Sequence, residues 1–227
     1  MAIETTTTAF AIAPYTTSLD VGSNYSIIVY CEPQSLGTEQ FVVGSNKRYR
    51  LGFNNTGNVE ATIGYGNKFA NSDLLSSGAF SNGDKIWMAL TYDNVDAKLY
   101  VNSLLEDTDN DPGRDSDANT PLGLGLIGSS STSGFGYCPA IIHFVAIYNR
   151  ELSEDEVISI MNSYGRECAF PGLLSAYHFT EESHGTTATV ASSEVIDTFG
   201  NTNYTAIAQG DVGFTWQESE IEFQGGH

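Results

Sequence analysis

The chain has 227 residues, of which 9 are Lys or Arg and 28 are Asp or Glu, so its formal net charge is −19. A surface this acidic repels nucleic acid and anionic membranes, and it favours solubility and cation binding. The length suits one large domain, or one domain and a fragment, and the 23 glycines are typical of many short strands joined by turns.

Short apolar runs bounded by turn residues recur along the chain and predict β-strands. The opening run "TTTT" at 5–8 is expected to be loose. "YSIIVYCEP" predicts a buried strand closed by proline, and "DKIWMALTYD" with "AKLYVNSLLED" predicts a hairpin around an Asn-Val-Asp turn. The predicted strands cover 25–33, 40–45, 49–57, 59–66, 84–93, 97–107, 122–130 and 140–149.

One helix is predicted, by "LSEDEVISIMNSYGRE" at 152–167. Ser153 is the expected N-cap, and Glu156 three residues later completes a capping box. Acidic residues fill the first turn, the apolar residues at 157, 160 and 161 share one face, and Gly165 suits the C′ position. A single short helix after many strands indicates a β-sandwich.

The three cysteines, Cys31, Cys138 and Cys168, are an odd number and have no metal-ligand spacing. Cys31 ends an apolar strand and Cys138 precedes another, which favours small buried hydrophobic side chains. One disulfide stays open as the alternative.

The start of the chain lacks the charged region of a signal peptide, since its first basic residue is Lys47. The longest apolar stretch, 140–148, contains His143 and is too short to span a bilayer. The sequence therefore predicts a soluble chain that folds in the cytoplasm where it is made.

Four stretches together resemble a laminin-G-like domain of the concanavalin A-like lectin and glucanase superfamily. They are "NYSIIVYCEPQSLGTEQFVVG", "GDKIWMALTYDNVDAKLYVNS", "PLGLGLIGSSS" and "AIIHFVAIYNRELSEDEVISIM", and they occur in the family's order over about residues 10–165. Two positions depart from the family pattern: Ser103 stands where glycine is usual, and His143 stands where an acidic residue is common.

The resemblance also implies that the order of the chain is unusual. Such domains begin with a strand like "GLLSAYHF" and an acidic turn, but here these follow the body, from Gly172 to "EIEFQGG". We predict an all-β, concanavalin A-like two-sheet jelly-roll sandwich, with one short helix after the last body strand and the first-quarter strands displaced to the C-terminus. Residues 1–165 would form the body. Residues 166–227 would complete it, antiparallel to the strand at 141–148, in the same chain or swapped into a neighbour.

The densest acidic loop is "EDTDNDPGRDSD", a candidate calcium site because hard cations bind carboxylate oxygens. Its spacing fails the EF-hand template, and a solvated loop is the favoured interpretation. Superfamily members often bind calcium at a sandwich edge, so the resemblance keeps calcium open as the one cofactor. The candidate ligands are Asp107, Asp109, Asp111, Asp115 and Asp117.

Other chemistry-bearing residues give weaker signals. Glu218, Glu220 and Glu222 lie on one face of a predicted strand, but alternating apolar residues favour a solvated face over a glycosidase pair. No nucleophile pattern accompanies His143, so a hydrogen-bonded structural histidine is expected and no catalytic residue is assigned. Among the tryptophans, Trp87 is interpreted as packing and Trp216 is the candidate glycan-binding residue.

Three classes of function stay open, because this fold hosts many activities. A non-catalytic structural or interaction protein is favoured; a bacterial calcium-dependent glycan-binding lectin module is the alternative, and a glycosidase is third. An acidic, soluble sandwich without an export signal is typical of a virion protein, so a bacteriophage capsid decoration or fibre protein with glycan contact is predicted. The expected partners are other virion proteins, copies of itself and surface glycans, and the alternative location is extracellular.

Overall fold

A computed structural model of the chain gives its architecture as two β-sheets packed face to face, with one short helix in the part that is described. The residues described are 2–6, 10–13, 21–45, 48–65, 68–110, 122–125, 127–128, 134–178, 194–195, 206–209 and 215–217.

The described residues form eighteen strands and one helix. In chain order they are β1 (Ala2–Thr5), β2 (Phe10–Ala13), β3 (Tyr25–Pro33), β4 (Gln40–Ser45), β5 (Tyr49–Phe53), β6 (Asn58–Tyr65), β7 (Lys68–Ala79), β8 (Ile86–Tyr92), β9 (Ala97–Val101), β10 (Leu104–Asp109), β11 (Leu122–Leu124), β12 (Ile127–Gly128), β13 (Gly134–Phe135), β14 (Ala140–Tyr148), α1 (Glu154–Asn162), β15 (Leu173–Tyr177), β16 (Glu194–Val195), β17 (Ala206–Gln209) and β18 (Thr215–Gln217).

The described strand pairs are antiparallel apart from a short parallel bridge between β12 and β4, and an isolated parallel bridge also joins Phe41 and Tyr137. Sheet A has the order β10-β9-β8-β3-β14-β1-β18, and β15 also pairs with β14. Sheet B has the order β16-β17-β2-β11-β4-β5-β6-β7, and outside this path β12 pairs with β4 and β13 pairs with β12. The main core lies between the sheets and is built from the inward side chains of alternating positions, such as Ile27 and Val29 of β3 and Leu51 and Phe53 of β5. The predicted all-β sandwich with one short helix is confirmed.

The predicted strands at 25–33 and 40–45 are confirmed to the residue, whereas the single strand predicted at 97–107 is wrong. The chain turns at Asn102 (φ 49°) and Ser103 (φ 68°), which divide it into β9 and β10. Both turn residues are left-handed, which is why glycine suits the position that Ser103 holds here. The long strand β7 was not predicted, because its sequence is mostly polar and small.

The expectation that the threonine run is loose is wrong for Thr5. This residue is 1% exposed and lies in β1, beside the start of β14. Its hydroxyl donates to the carbonyl of Cys138 at 2.8 Å and accepts from the backbone amide of Ala140 at 3.2 Å. Two long-range hydrogen bonds therefore fix it, a constraint that its local sequence does not carry. Thr7 and Thr8 lie outside the described residues.

Strands from both ends of the chain extend the sheets. β15 pairs antiparallel with the second half of β14 (Ala176 opposite Ala146), while β1 pairs with its first half (Glu4 opposite Ile141). Further along, β17 pairs with β2 and β18 pairs with β1. The antiparallel pairing expected for the strand after Gly172 is thus present. The division into 1–165 and 166–227, and the choice between one chain and a swap, stay predictions.

The three cysteines are buried thiols, which confirms their interpretation as small buried side chains. Burial raises the pKa of the Cys31 thiol well above its usual value, and the neighbouring Cys138 and Glu32 add to the effect. In the described part of the chain, no helix is long and apolar enough to cross a membrane.

Candidate functional site

Helix α1 covers the outer face of sheet A. Its capping box forms as predicted: the amide of Glu156 donates to Ser153 Oγ at 3.3 Å, and the amide of Ser153 donates to Glu156 Oε2 at 2.9 Å. The predicted apolar face of the helix packs on outward side chains of β3, β8 and β14, forming a cluster separate from the main core. The C-terminal end of the helix therefore lies over the aromatic side chains of this face.

The helix ends in two consecutive residues with left-handed backbone. Ser163 is the C-cap, and Tyr164 (φ 54°) and Gly165 (φ 77°) follow it. The amide of Gly165 donates back to the carbonyl of Ile160 at 2.8 Å. Gly165 thus lies one position beyond the predicted C′, and Tyr164 takes that place. A left-handed residue with a Cβ costs about 1–2 kcal/mol, so the surroundings must hold this turn in place.

Gly165 contacts two side chains, Phe144 of β14 and His178 directly after β15. A Cβ at Gly165 would lie 2.8 Å from the Phe144 ring, so only glycine fits against it. Nε2 of His178 lies 3.3 Å from the Gly165 carbonyl, and since a carbonyl only accepts, Nε2 carries the proton. Burial lowers the pKa of His178 to about 4, so this imidazole is neutral near pH 7. Phe144 and His178 also pack edge to face, with ring centroids 4.9 Å apart.

Tyr164 is the exposed member of an aromatic group. Its side chain is 48% exposed, while Tyr30 and Trp87 beneath it are 3% and 7% exposed. Tyr30 and Trp87 stack with their planes 7° apart at 4.7 Å, and the Tyr164 ring stands edge-on to them at 6.2 Å and 6.4 Å. The interpretation of Trp87 as packing is consistent with its burial. The stacked pair supports Tyr164 from one side and leaves the rest of the ring in solvent.

A surface cavity of about 690 Å³ opens beside this ring, and we call it the Tyr164 cleft. Its size lies within the range of small-ligand sites. Ser159 Oγ donates to Glu167 Oε2 at 2.7 Å, and the Glu167 amide donates to Ser163 Oγ at 3.0 Å, which fixes one wall. The lining residues are Asn162, Ser163, Tyr164, Arg166 and Glu167. The cleft thus combines one exposed aromatic ring with amide, hydroxyl, guanidinium and carboxylate groups.

His143 lies next to the same aromatic group. A β-bulge in β14 places it on the outer face, where its ring centroid is 4.7 Å from that of Tyr30. His143 Nε2 lies 2.8 Å from Glu32 Oε1. Burial lowers the pKa of His143, although the Glu32 carboxylate acts to raise it. The expected hydrogen-bonded structural histidine is confirmed.

The structure does not gather the sequence-predicted site residues at this cleft. Both carboxylate oxygens of Asp107 accept backbone amides, from Leu75 at 3.0 Å and from Thr108 at 2.8 Å, and Asp109 ends β10. Within the described ranges, no three His, Cys, Asp or Glu residues are grouped to hold a metal ion. Outside those ranges lie Asp111, Asp115, Asp117, Glu218, Glu220 and Glu222. The calcium site therefore stays a prediction.

Trp216 also stays a prediction as a glycan-binding residue. It lies in β18 opposite Ile3 of β1, and the structure does not describe its side chain. Tyr164 was not predicted as a site residue, although the sequence carries one signal: an aromatic residue directly precedes the glycine expected to end the helix. That signal was weak, because the left-handed state of Tyr164 depends on contacts of Gly165 with distant residues.

The chain belongs to the concanavalin A-like lectin/glucanases superfamily: the laminin-G family profile with that description matches residues 4–158. A search of curated proteins returns no match. The cleft residues 162–167 follow the matched segment, so membership of the family does not by itself assign them a role.

Solved structures share the fold at low sequence identity. A candidate carbohydrate-binding protein from Bacteroides ovatus has a TM-score of 0.69 at 14% identity, over 96% of this chain and 60% of its own. A heptameric SAP-like pentraxin from Limulus polyphemus has 0.60 at 8%, over 96% and 95%. The CBM40 of a Ruminococcus gnavus IT-sialidase, bound to α2,3-sialyllactose, has 0.51 at 18%, over 71% and 97%. This chain therefore spans only 60% of the length of the Bacteroides protein, and these likenesses show the fold alone.

Proposed function

We propose that this member of the superfamily is a non-catalytic glycan-binding module and that the Tyr164 cleft is its sugar site. The observation that carries the proposal is the half-exposed Tyr164 ring, fixed at the edge of a cavity lined by hydrogen-bonding side chains. The C–H face of a sugar ring packs on an aromatic ring, while its hydroxyls need both donors and acceptors. Asn162, Arg166 and Glu167 supply both kinds of group.

The backbone of Tyr164 adds a second line of support. A strained left-handed tyrosine persists only where the surrounding structure fixes it, and such residues concentrate at binding sites. Carbohydrate binding in the names of the Bacteroides and Ruminococcus proteins supports the class of ligand, but not the position of the site.

The test removes the Tyr164 ring without straining the turn. Asparagine tolerates left-handed backbone, so Tyr164→Asn should keep the turn folded while weakening binding on a glycan array. Tyr164→Phe keeps the ring and should retain affinity within about threefold, whereas Tyr164→Asn should weaken the strongest array ligand more than about tenfold in calorimetry.

Further measurements distinguish this proposal from another binding residue, from calcium dependence and from glycosidase activity. Loss of binding in Trp216→Phe, with Tyr164→Asn unaffected, would move the site to the tryptophan predicted from the sequence. A chelator that abolishes binding would support the calcium-dependent lectin. Array ligands recovered cleaved, as judged by mass spectrometry, would favour the glycosidase. A broad array without any hit would refute glycan binding.

The virion location stays a proposal that rests on the acidic composition of the chain. A glycan-binding sandwich on a particle surface would bring a phage to its host. Electron microscopy of antibody-labelled particles tests this location, and absence of the protein from every virion fraction would contradict it.

A further inference from the structure

The charge distribution around the Tyr164 cleft limits which glycans it accepts, an inference that rests on the proposed function. The cleft lies at the C-terminal end of α1, where backbone carbonyls carry about half a negative elementary charge. Helices often place a basic residue there, but the last turn of α1 has none. The helix therefore contributes negative potential to the cleft.

Glu167 adds a full carboxylate to the same wall. Its bond from Ser159 Oγ uses only Oε2, and the bond from its own amide to Ser163 Oγ fixes the backbone. The bond from Ser159 therefore places this carboxylate at the cleft wall, where solvent reaches it. A carboxylate-bearing sugar on Tyr164 would meet a like charge held in place, which is repulsive at short range.

Arg166 is the single cation among the residues that line the described cavity. Arg166 and Glu167 contribute opposite formal charges to the cleft, and the C-terminal end of the helix adds a partial negative charge. Because the whole chain carries −19, the long-range field has the same sign. An uncharged ligand does not experience this electrostatic repulsion, and it can still form hydrogen bonds with Arg166 and Glu167.

We infer that the Tyr164 cleft selects uncharged glycans and rejects acidic ones, with Glu167 as the specificity-determining residue. The amide counterpart of Glu167 would present the same shape and keep an oxygen that accepts from Ser159.

The experiment uses the full chain on an array that holds neutral glycans beside their sialylated or uronic counterparts. Binding through the cleft is defined as the signal that Tyr164→Asn removes. That signal should be confined to neutral glycans. Tyr164-dependent binding that favours the acidic members would overturn the selectivity and leave the proposed function standing, whereas no Tyr164-dependent signal would overturn both.

Calorimetry on the strongest matched pair then assigns the role of Glu167. Glu167→Gln should strengthen binding of the acidic glycan about fivefold or more relative to that of its neutral partner at low salt. Glu154→Gln makes the same charge change at the other end of α1 and should alter neither affinity. Equal effects of the two substitutions, or none from Glu167→Gln, would refute the assignment.

Discussion

Tyr164 and Gly165 show how a site residue is fixed by contacts far from it in sequence. The glycine contacts the Phe144 ring of β14 and the His178 imidazole that follows β15, so strands on either side of the helix determine the turn. The helix, its capping box and its buried face could be predicted from local spacing. The left-handed Tyr164 could not, because Phe144 and His178 are not its neighbours in the chain.

The pH dependence of stability should reveal the buried histidines. Burial lowers the pKa of His178 to about 4, and it also lowers that of His143, so the folded state binds fewer protons than the unfolded state near pH 5. The unfolding free energy is therefore not reduced by these histidines above the unfolded pKa of about 6.5. It decreases as the pH falls from there toward 4, because the unfolded state then binds protons that the folded state does not. For His178 the loss is about 3 kcal/mol, at about 1.4 kcal/mol per pH unit. Urea unfolding between pH 7 and pH 4.5 measures it.

The matched variant for this prediction is His178→Gln. Its side chain still donates to the Gly165 carbonyl but does not titrate in this range. We expect a shallower fall of unfolding free energy with decreasing pH in the variant than in the original chain. Parallel curves for the two proteins would show that His178 does not contribute.

At the scale of elements, side chains of the edge strand of one sheet hydrogen-bond to the backbone of the edge strand of the other. β10 ends sheet A and β7 ends sheet B. A bulge between Leu105 and Asp107 directs two successive carboxylates of β10 toward β7: Glu106 Oε2 accepts the Ser77 amide at 2.8 Å, and Asp107 accepts that of Leu75. The hydrogen bonds from Ser77 lower the pKa of Glu106. The acids proposed from sequence as calcium ligands thus include one that caps an exposed strand edge.

Removing these two acceptors should weaken the edge and promote self-association. In Glu106→Ala with Asp107→Ala, the amides of β7 lose their partners, and open edges pair with other chains. Because both bonds are solvent-exposed, we expect a loss of about 1 kcal/mol in unfolding free energy, together with dimers in analytical ultracentrifugation. Glu106→Gln with Asp107→Asn removes the same charge but keeps acceptors, and it should keep the association state of the original chain. Dimers in both variants would indicate that the negative charges, and not the two hydrogen bonds, normally keep this edge from pairing.

The strands illustrate which elements local sequence can predict. β3 and β4 are apolar runs closed by turn residues, and their predicted bounds were right. β1 and β7 are short or polar and form because long-range partners pair with them, as the buried hydrogen bonds of Thr5 show. The break at Asn102 and Ser103 was missed because neither residue is glycine.

At the scale of the whole molecule, the sandwich draws its strands from both ends of the chain. The family profile stops at residue 158, yet the segment after it supplies β15, the wall of the Tyr164 cleft and the support of Gly165. Ala176 belongs to the outer cluster and Tyr177 to the main core. The fold class could be predicted from four family-like stretches. The cleft could not, because it forms where the segment after the body returns to the sheet.

Truncation after Gly165 tests how the segment 166–227 completes the fold. The shortened chain loses β15, exposes the second half of β14 and removes buried Cys168, Ala176 and Tyr177 from the two clusters. If the segment completes its own chain, 1–165 should lose its cooperative thermal transition. Truncation after His178, which retains β15, should give a stability between those of 1–165 and the full chain.

If neighbours exchange the segment, light scattering should show oligomers of the full chain that 1–165 cannot form. Adding the 166–227 peptide to 1–165 should restore the transition in either case. A monomeric 1–165 that melts like a monomeric full chain would contradict both arrangements, because the buried side chains of the segment would then contribute nothing to stability.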